Sequence, residues 1–181
     1  MMPTNSFTSE GESPQLQADS PRLKIKDITE ARAAFKSVLE REGIRAALCF
    51  LNWLTRHRFT SLYQFDNQML RSVYFFDREN PLSVASPDIP ITASYCVFIR
   101  DQGVPFATAD AKNDHRVDSH PNRNHVQSYY GVPLLNRAGG VFGSLCHFDL
   151  KPLPVTKEDV RLLESAAELM QEQLLESVLR S

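Results

Sequence analysis

The chain has no long apolar run. Its most apolar stretch, AALCFLNWL at 46–54, is broken by Asn52 and is too short to cross a bilayer. Basic residues are not in excess. Twenty Lys and Arg stand against 22 Asp and Glu, for a net charge of −2. Such a balance offers no field to hold a phosphate backbone, which sets nucleic acid aside as a direct partner. Cysteine is scarce. Cys49, Cys96 and Cys146 are odd in number and widely spaced, which excludes a disulfide framework. No C-x-x-C occurs, so a thiolate zinc centre is not indicated. The opening MMPTNSFTSEGESPQLQADSPR lacks the charged and apolar regions of a secretion signal, so the expected location is cytoplasmic, with free thiols. No internal repeat is present.

What remains is a chain of 181 residues, 42% of them apolar, enough for one domain with a real core. Residues 1–24 are polar and rich in Ser, Glu, Gln and Pro and read as a disordered tail. Residues 25–181 read as a single domain. Asp27 with Glu30 resembles a capping box, and Ala31, Ala34, Phe35, Val38 and Leu39 recur at helical spacing. Gly43 ends or breaks that helix, and IRAALCFLNWLTRH continues as a second one. The period then shortens. FTSLYQFD and LRSVYFFD are aromatic and β-branched, with Asp66-Asn67 between them, and predict an antiparallel hairpin. ITASYCVFIRDQG is open to either helix or strand. Phe106–Thr108 predicts a short strand, and DAKNDHRVDSHPNRNH a long polar loop. SYYGVPLL and VFGSLCHFD form a second hairpin through Gly139-Gly140. Thr156 caps a last helix with an apolar stripe through Val160, Leu163, Ala167, Met170, Leu174 and Val178. Helices, hairpins and loops in this order predict an α+β domain.

The polar letters near the second hairpin raise a question of chemistry. In a strand, neighbours point to opposite faces. Cys146 would share a face with Phe142, Ser144 and Phe148, and His147 with Val141, Gly143, Leu145 and Asp149. Cys146 and His147 therefore do not form a nucleophile–base pair, and Cys146 reads as a small core residue. His115, His120 and His125, beside Asp110, Asp114 and Asp118, are residue types that hold metals. Their place in a polar loop reads instead as solvated side chains, with no metal.

Taken together, YYGVPLLNRAGGVFGSLCHFDLKPLPVTKEDVRLLESAAELM and SYCVFIRDQGVPFATADAKNDHRV resemble the GAF domain family. The likeness lies in the G-V-P-L strand, the G-S-L-C-x-x-D strand, the Lys-Pro after it, the L-L-E-x-x-A helix and the upstream Ser-x-Cys. It implies a central antiparallel sheet, with N- and C-terminal helices on one face and a loop-covered ligand cavity on the other. It further implies a sensory or regulatory protein binding a small molecule, with a homodimer formed through the terminal helices and an output partner. The expected ligand-binding residues are Ser94, Cys96, Asp110, Asp114, Arg116, Tyr129, Tyr130 and His147. The ligand, and any cofactor, stays unknown. His147 stands where related strands carry an apolar residue. The expected role is non-catalytic, with a methionine sulfoxide reductase-like activity set aside because the sequence around the cysteines differs from that branch. The alternatives are a thiol redox enzyme or sensor using Cys96 and Cys146, and a dimerisation scaffold with a closed cavity.

Overall fold

A computed structural model describes residues 27–83 and 86–179, with side chains as far as Leu174. The tail predicted at 1–24 lies outside the described residues. Helix α1 (Ile28–Glu42) begins where Asp27 accepts a hydrogen bond from the Glu30 amide at 2.8 Å. This satisfies one of the amides that a helix start leaves free. Gly43, at φ 85°, turns the chain directly into α2 (Ile44–Leu54). The hairpin follows as β1 (Phe59–Asp66) and β2 (Met69–Asp77), with Asn67 at φ 53° in its tight turn. Asn tolerates this left-handed conformation better than most residues.

A two-residue strand β3 (Ile89–Pro90) precedes the open question of 91–103, which resolves as a 3-10 turn and the short helix α3 (Cys96–Gln102). Strand β4 (Phe106–Thr108) leads into the polar loop, which is wound into three 3-10 turns between Ala111 and Asn124. Strands β5 (Ser128–Leu135) and β6 (Val141–Asp149) pair through a turn carrying Gly139 at φ 80°. Helix α4 (Lys157–Leu179) starts at a reciprocal cap. The Thr156 hydroxyl accepts from the Asp159 amide, and Asp159 accepts from the Thr156 amide.

The strands form one antiparallel sheet in the order β3-β2-β1-β6-β5-β4. Its two faces bury separate apolar clusters. One holds Phe35, Leu48, Leu51, Leu145, Leu163 and Met170, packed between the sheet and α1, α2 and α4. The other holds Tyr63, Tyr95, Cys96, Ile99, Tyr129 and Cys146, beneath α3 and the 3-10 turns. Each fully buried Leu or Phe contributes about 2 kcal/mol of transfer free energy, so both faces hold the domain together.

One expectation about β6 changes. Leu134 pairs with Gly143 and Leu135 with Val141, so Phe142 is an extra residue in the ladder. This bulge reverses the alternation. Phe142 packs on the helix side and Val141 on the α3 side, opposite to the simple reading. Beyond the bulge the reading holds, with Cys146 and His147 on opposite faces.

Candidate functional site

A cavity of about 160 Å³ lies between the sheet and its cover of loops. Its floor is built by alternation. Tyr63 of β1, Tyr129 of β5 and Cys146 and Phe148 of β6 all point to the α3 side. Its roof comes from Ser94 and Tyr95, just before α3, and from Asn122 and Val126 in and after the last 3-10 turn. The Tyr95 hydroxyl donates to the Val126 carbonyl at 3.2 Å, tying the two parts of the roof together. Burial, the dominant cause, raises the Tyr95 phenol to about 12 and pushes Tyr63 and Tyr129 up as well, so all three stay neutral.

Beside this cavity the two thiols meet. Cys96 and Cys146 are fully buried and their side chains are in hydrogen-bond contact. The Cys96 sulfur also receives the Ser144 hydroxyl at 3.3 Å and lies 3.3 Å from the Tyr129 hydroxyl. Burial opposes ionisation of both thiols. At Cys96 the bonds from Cys146, Ser144, Ser94 and Tyr129 outweigh it and draw the thiol down to about 6. Cys146, desolvated and next to Cys96, is pushed well up. Cys96 is therefore the sulfur that ionises first.

The predicted ligand set divides. Ser94 and Tyr129 line the cavity, and Cys96 sits just behind Tyr129. Tyr130 and His147 are on the opposite face. The Tyr130 hydroxyl donates to Thr55 Oγ1 at 2.9 Å, and His147 Nδ1 lies 2.6 Å from Thr60 Oγ1. The cleft beside them is only about 10 Å³, room for no more than one water. Desolvation, the largest cause, lowers the His147 pKa well below its usual value, which keeps it a neutral core imidazole. Asp110, Asp114 and Arg116 also lie outside the cavity. Asp110 holds the Asn113 amide at 2.7 Å. Arg116 grips Asp114 through two bonds of 2.9 and 2.6 Å, donates to the Ala107 carbonyl and covers the Phe106 ring. That pair pins the loop to β4, and its hydrogen bonds hold Asp114 down at about 2.

His115 is exposed and bonds Asp118 at 3.1 Å, while His120 packs its ring on Tyr95 at 4.5 Å. Among the described residues, no group of three His, Cys, Asp or Glu side chains could hold a metal ion. A groove of about 380 Å³ runs along the start of α4, lined by Ala107, Val155, Val160 and the exposed Lys157 and Arg161; it contains none of the predicted residues. Sequence reasoning missed Tyr63, Tyr95, Asn122, Val126 and Phe148. The facing of Tyr63 and Phe148 was readable from strand alternation once the Cys146 face was chosen. Asn122 and Val126 carry no such signal, because irregular turns have no period.

The domain is a curled antiparallel sheet with helices on one face and a loop-roofed cavity on the other. The GAF domain family profile matches residues 55–174, and the chain belongs to that family. No curated protein matches it in sequence. Similar solved structures include the free methionine-R-sulfoxide reductase of Neisseria meningitidis in complex with its substrate. It is 17% identical, with a TM-score of 0.69, covering 85% of this chain and 92% of that one. The GAF domain of a Coxiella burnetii phosphoenolpyruvate-protein phosphotransferase is 11% identical, with a TM-score of 0.66 and coverage of 85% and 96%. A type II free methionine-R-sulfoxide reductase from Thermoplasma acidophilum is 19% identical, with a TM-score of 0.59 and coverage of 81% and 96%. These likenesses overturn the expectation of a non-catalytic chain with reductase activity set aside. The fold is shared by enzymes as well as regulatory domains, so it does not exclude catalysis. Among the described residues, no helix is long and apolar enough to cross a membrane.

Proposed function

We propose that this protein is a regulatory GAF domain whose cavity beneath α3 and the 3-10 turns binds a small molecule. The observation that carries this reading is the asymmetry of the sheet. On the helix face the space among the buried side chains of Tyr130 and His147 is only about 10 Å³, and the larger groove along α4 is a surface feature bordered by exposed Lys157 and Arg161, while the other face keeps about 160 Å³ beneath neutral polar and aromatic side chains. Ser94 and Tyr129 contact the ligand, and Cys96 acts through Tyr129. Binding ties the roof to the floor, and any effect on the helices follows from a preference of the ligand for one state. Helices α1 and α4 pack against each other at the sheet's other face, where a second copy would dock to form a homodimer; size-exclusion chromatography tests this directly. Native mass spectrometry of the full chain, purified from its own cells, tests the binding. The expected result is extra mass that disappears on denaturation and is missing from a Val126→Phe variant. A bare chain whose thermal midpoint no small metabolite shifts would overturn the reading.

A second reading rests on a separate observation, the contact of two buried thiols with different ionisation tendencies. In it, Cys96 and Cys146 together reduce a substrate held in the cavity, whose wall Cys146 lines. With a sulfoxide, two thiols become one disulfide, and the sulfoxide oxygen leaves as water with the two protons and two electrons. The assay is turnover of free methionine-R-sulfoxide with dithiothreitol as reductant. Turnover lost in both Cys96→Ser and Cys146→Ser supports this reading; no turnover, and no disulfide after hydrogen peroxide, removes it.

A further inference from the structure

The lining of the cavity narrows what it takes. Four rings face it, those of Tyr63, Tyr95, Tyr129 and Phe148. Its polar groups are hydroxyls and an amide, among them Ser94 and Asn122. Among the described residues, none of those lining it is charged. The charge of Arg123 influences the Tyr95 phenol. The Arg123 Nη2 is engaged with the Lys112 carbonyl and, at 3.2 Å, with Asp118, while its buried Nε has no hydrogen-bond partner among the described residues. Asp114, which also acts on Tyr95, is held by Arg116.

Three physical limits follow. A bound ion would surrender its hydration to a site with no countercharge, which costs far more than moving a neutral polar group that keeps its hydrogen bonds. The volume is close to that of an engineered protein cavity of about 150 Å³ that accepts benzene, so the occupant has one ring or a comparable number of atoms. Ring edges and faces favour a second aromatic group at the distances found among these side chains, where Tyr95 and Tyr129 stand edge-on with centroids 5.5 Å apart. We infer that the cavity selects an uncharged, single-ring aromatic molecule carrying a hydroxyl or similar hydrogen-bonding group, and discriminates against its anionic counterparts. This rests on the ligand-binding reading above and names the ligand class.

Phenol and benzoate are the probes, near in size and different in charge. They are titrated calorimetrically into the full-length chain, with Val126→Phe and Ser86→Phe as blocked variants. Ser86 lines the cavity from half-buried chain outside any helix or strand, so its variant keeps the test valid if Val126→Phe fails to fold. The expected result is phenol binding with a Kd of about 1 mM or tighter. Benzoate should bind at least about tenfold more weakly, and phenol binding should be lost in the blocked variants. Benzoate binding as well as phenol overturns the ligand class and leaves a ligand-binding cavity standing. Phenol binding that survives in a folded blocked variant overturns the assignment to this site. Binding of neither probe overturns the ligand class, and the absence of retained mass in the native spectrum then removes the binding reading too.

Discussion

The two faces of the sheet solve the same packing problem with different materials. The helix face is filled by aliphatic side chains from three long helices, and its buried polar groups are joined in one network. Asn52 donates to Thr60 Oγ1 at 2.8 Å, Thr60 meets His147, and Tyr130 reaches Thr55. The α3 face is roofed by one helix of seven residues and three 3-10 turns. Its side chains mix rings, hydroxyls and thiols with aliphatic groups such as Leu70, Ile91 and Ile99, and they do not close the space. Long helices can slide and tilt until a cavity is gone. Short turns held by their own hydrogen bonds cannot, so space persists where the secondary structure is least regular. The comparison teaches that the proposed site lies on the face with the weaker packing, where loops stand on a rigid scaffold.

That contrast can be broken at a single strand. At Gly143 an added Cβ would lie 2.2 Å from the Tyr63 carbonyl oxygen, so backbone must move. Gly143→Ala should cost about 3 kcal/mol or more, read from the urea midpoint. Leu145→Ala, on the helix face with no exposed surface, should cost about 3 kcal/mol by transfer and cavity terms. Its neighbour Cys146→Ala, beside space already present, should cost about 1 kcal/mol or less. Equal losses at 145 and 146 would refute the difference in packing.

Much of this was legible in the sequence, for reasons tied to period. Helices α1, α2 and α4, both hairpins and the split between Cys146 and His147 follow from 3.6- and 2-residue repeats, whereas α3 was open between helix and strand because its short apolar run fits either period. The bulge at Phe142 was not legible, because it is set by the fit of β5 against β6 rather than by a repeat in either. Asp110, Asp114 and Arg116 sat near the cavity only by analogy, and their geometry makes them a clasp between loop and β4. The roof residues Asn122 and Val126 lie in turns whose direction is set by tertiary contacts.

Titration sharpens the comparison further. His147 is neutral when folded and has a pKa near 6.5 when unfolded. A lowered folded pKa means that the unfolded chain gains the proton first, so stability falls as pH drops below about 6.5. The loss grows as pH falls from there toward the lowered folded value. His147→Gln should flatten that part of the profile, and an unchanged slope would contradict a buried neutral His147. On the other face Asp114, with its pKa lowered to about 2, stabilises above about 3.8 and ceases to as pH falls through about 2. Its partner Arg116 is largely exposed, so solvent screening limits Asp114→Asn to about 1 kcal/mol. Chemical denaturation at pH 7 checks this value.

A crystal structure of the full chain grown with phenol examines the ligand-binding face directly. The account predicts a single ring ordered among Tyr95, Tyr129 and Phe148, with its hydroxyl bonded to Ser94 or Asn122 and the helix face unchanged. A collapsed cavity, or phenol found only outside it, would contradict the account.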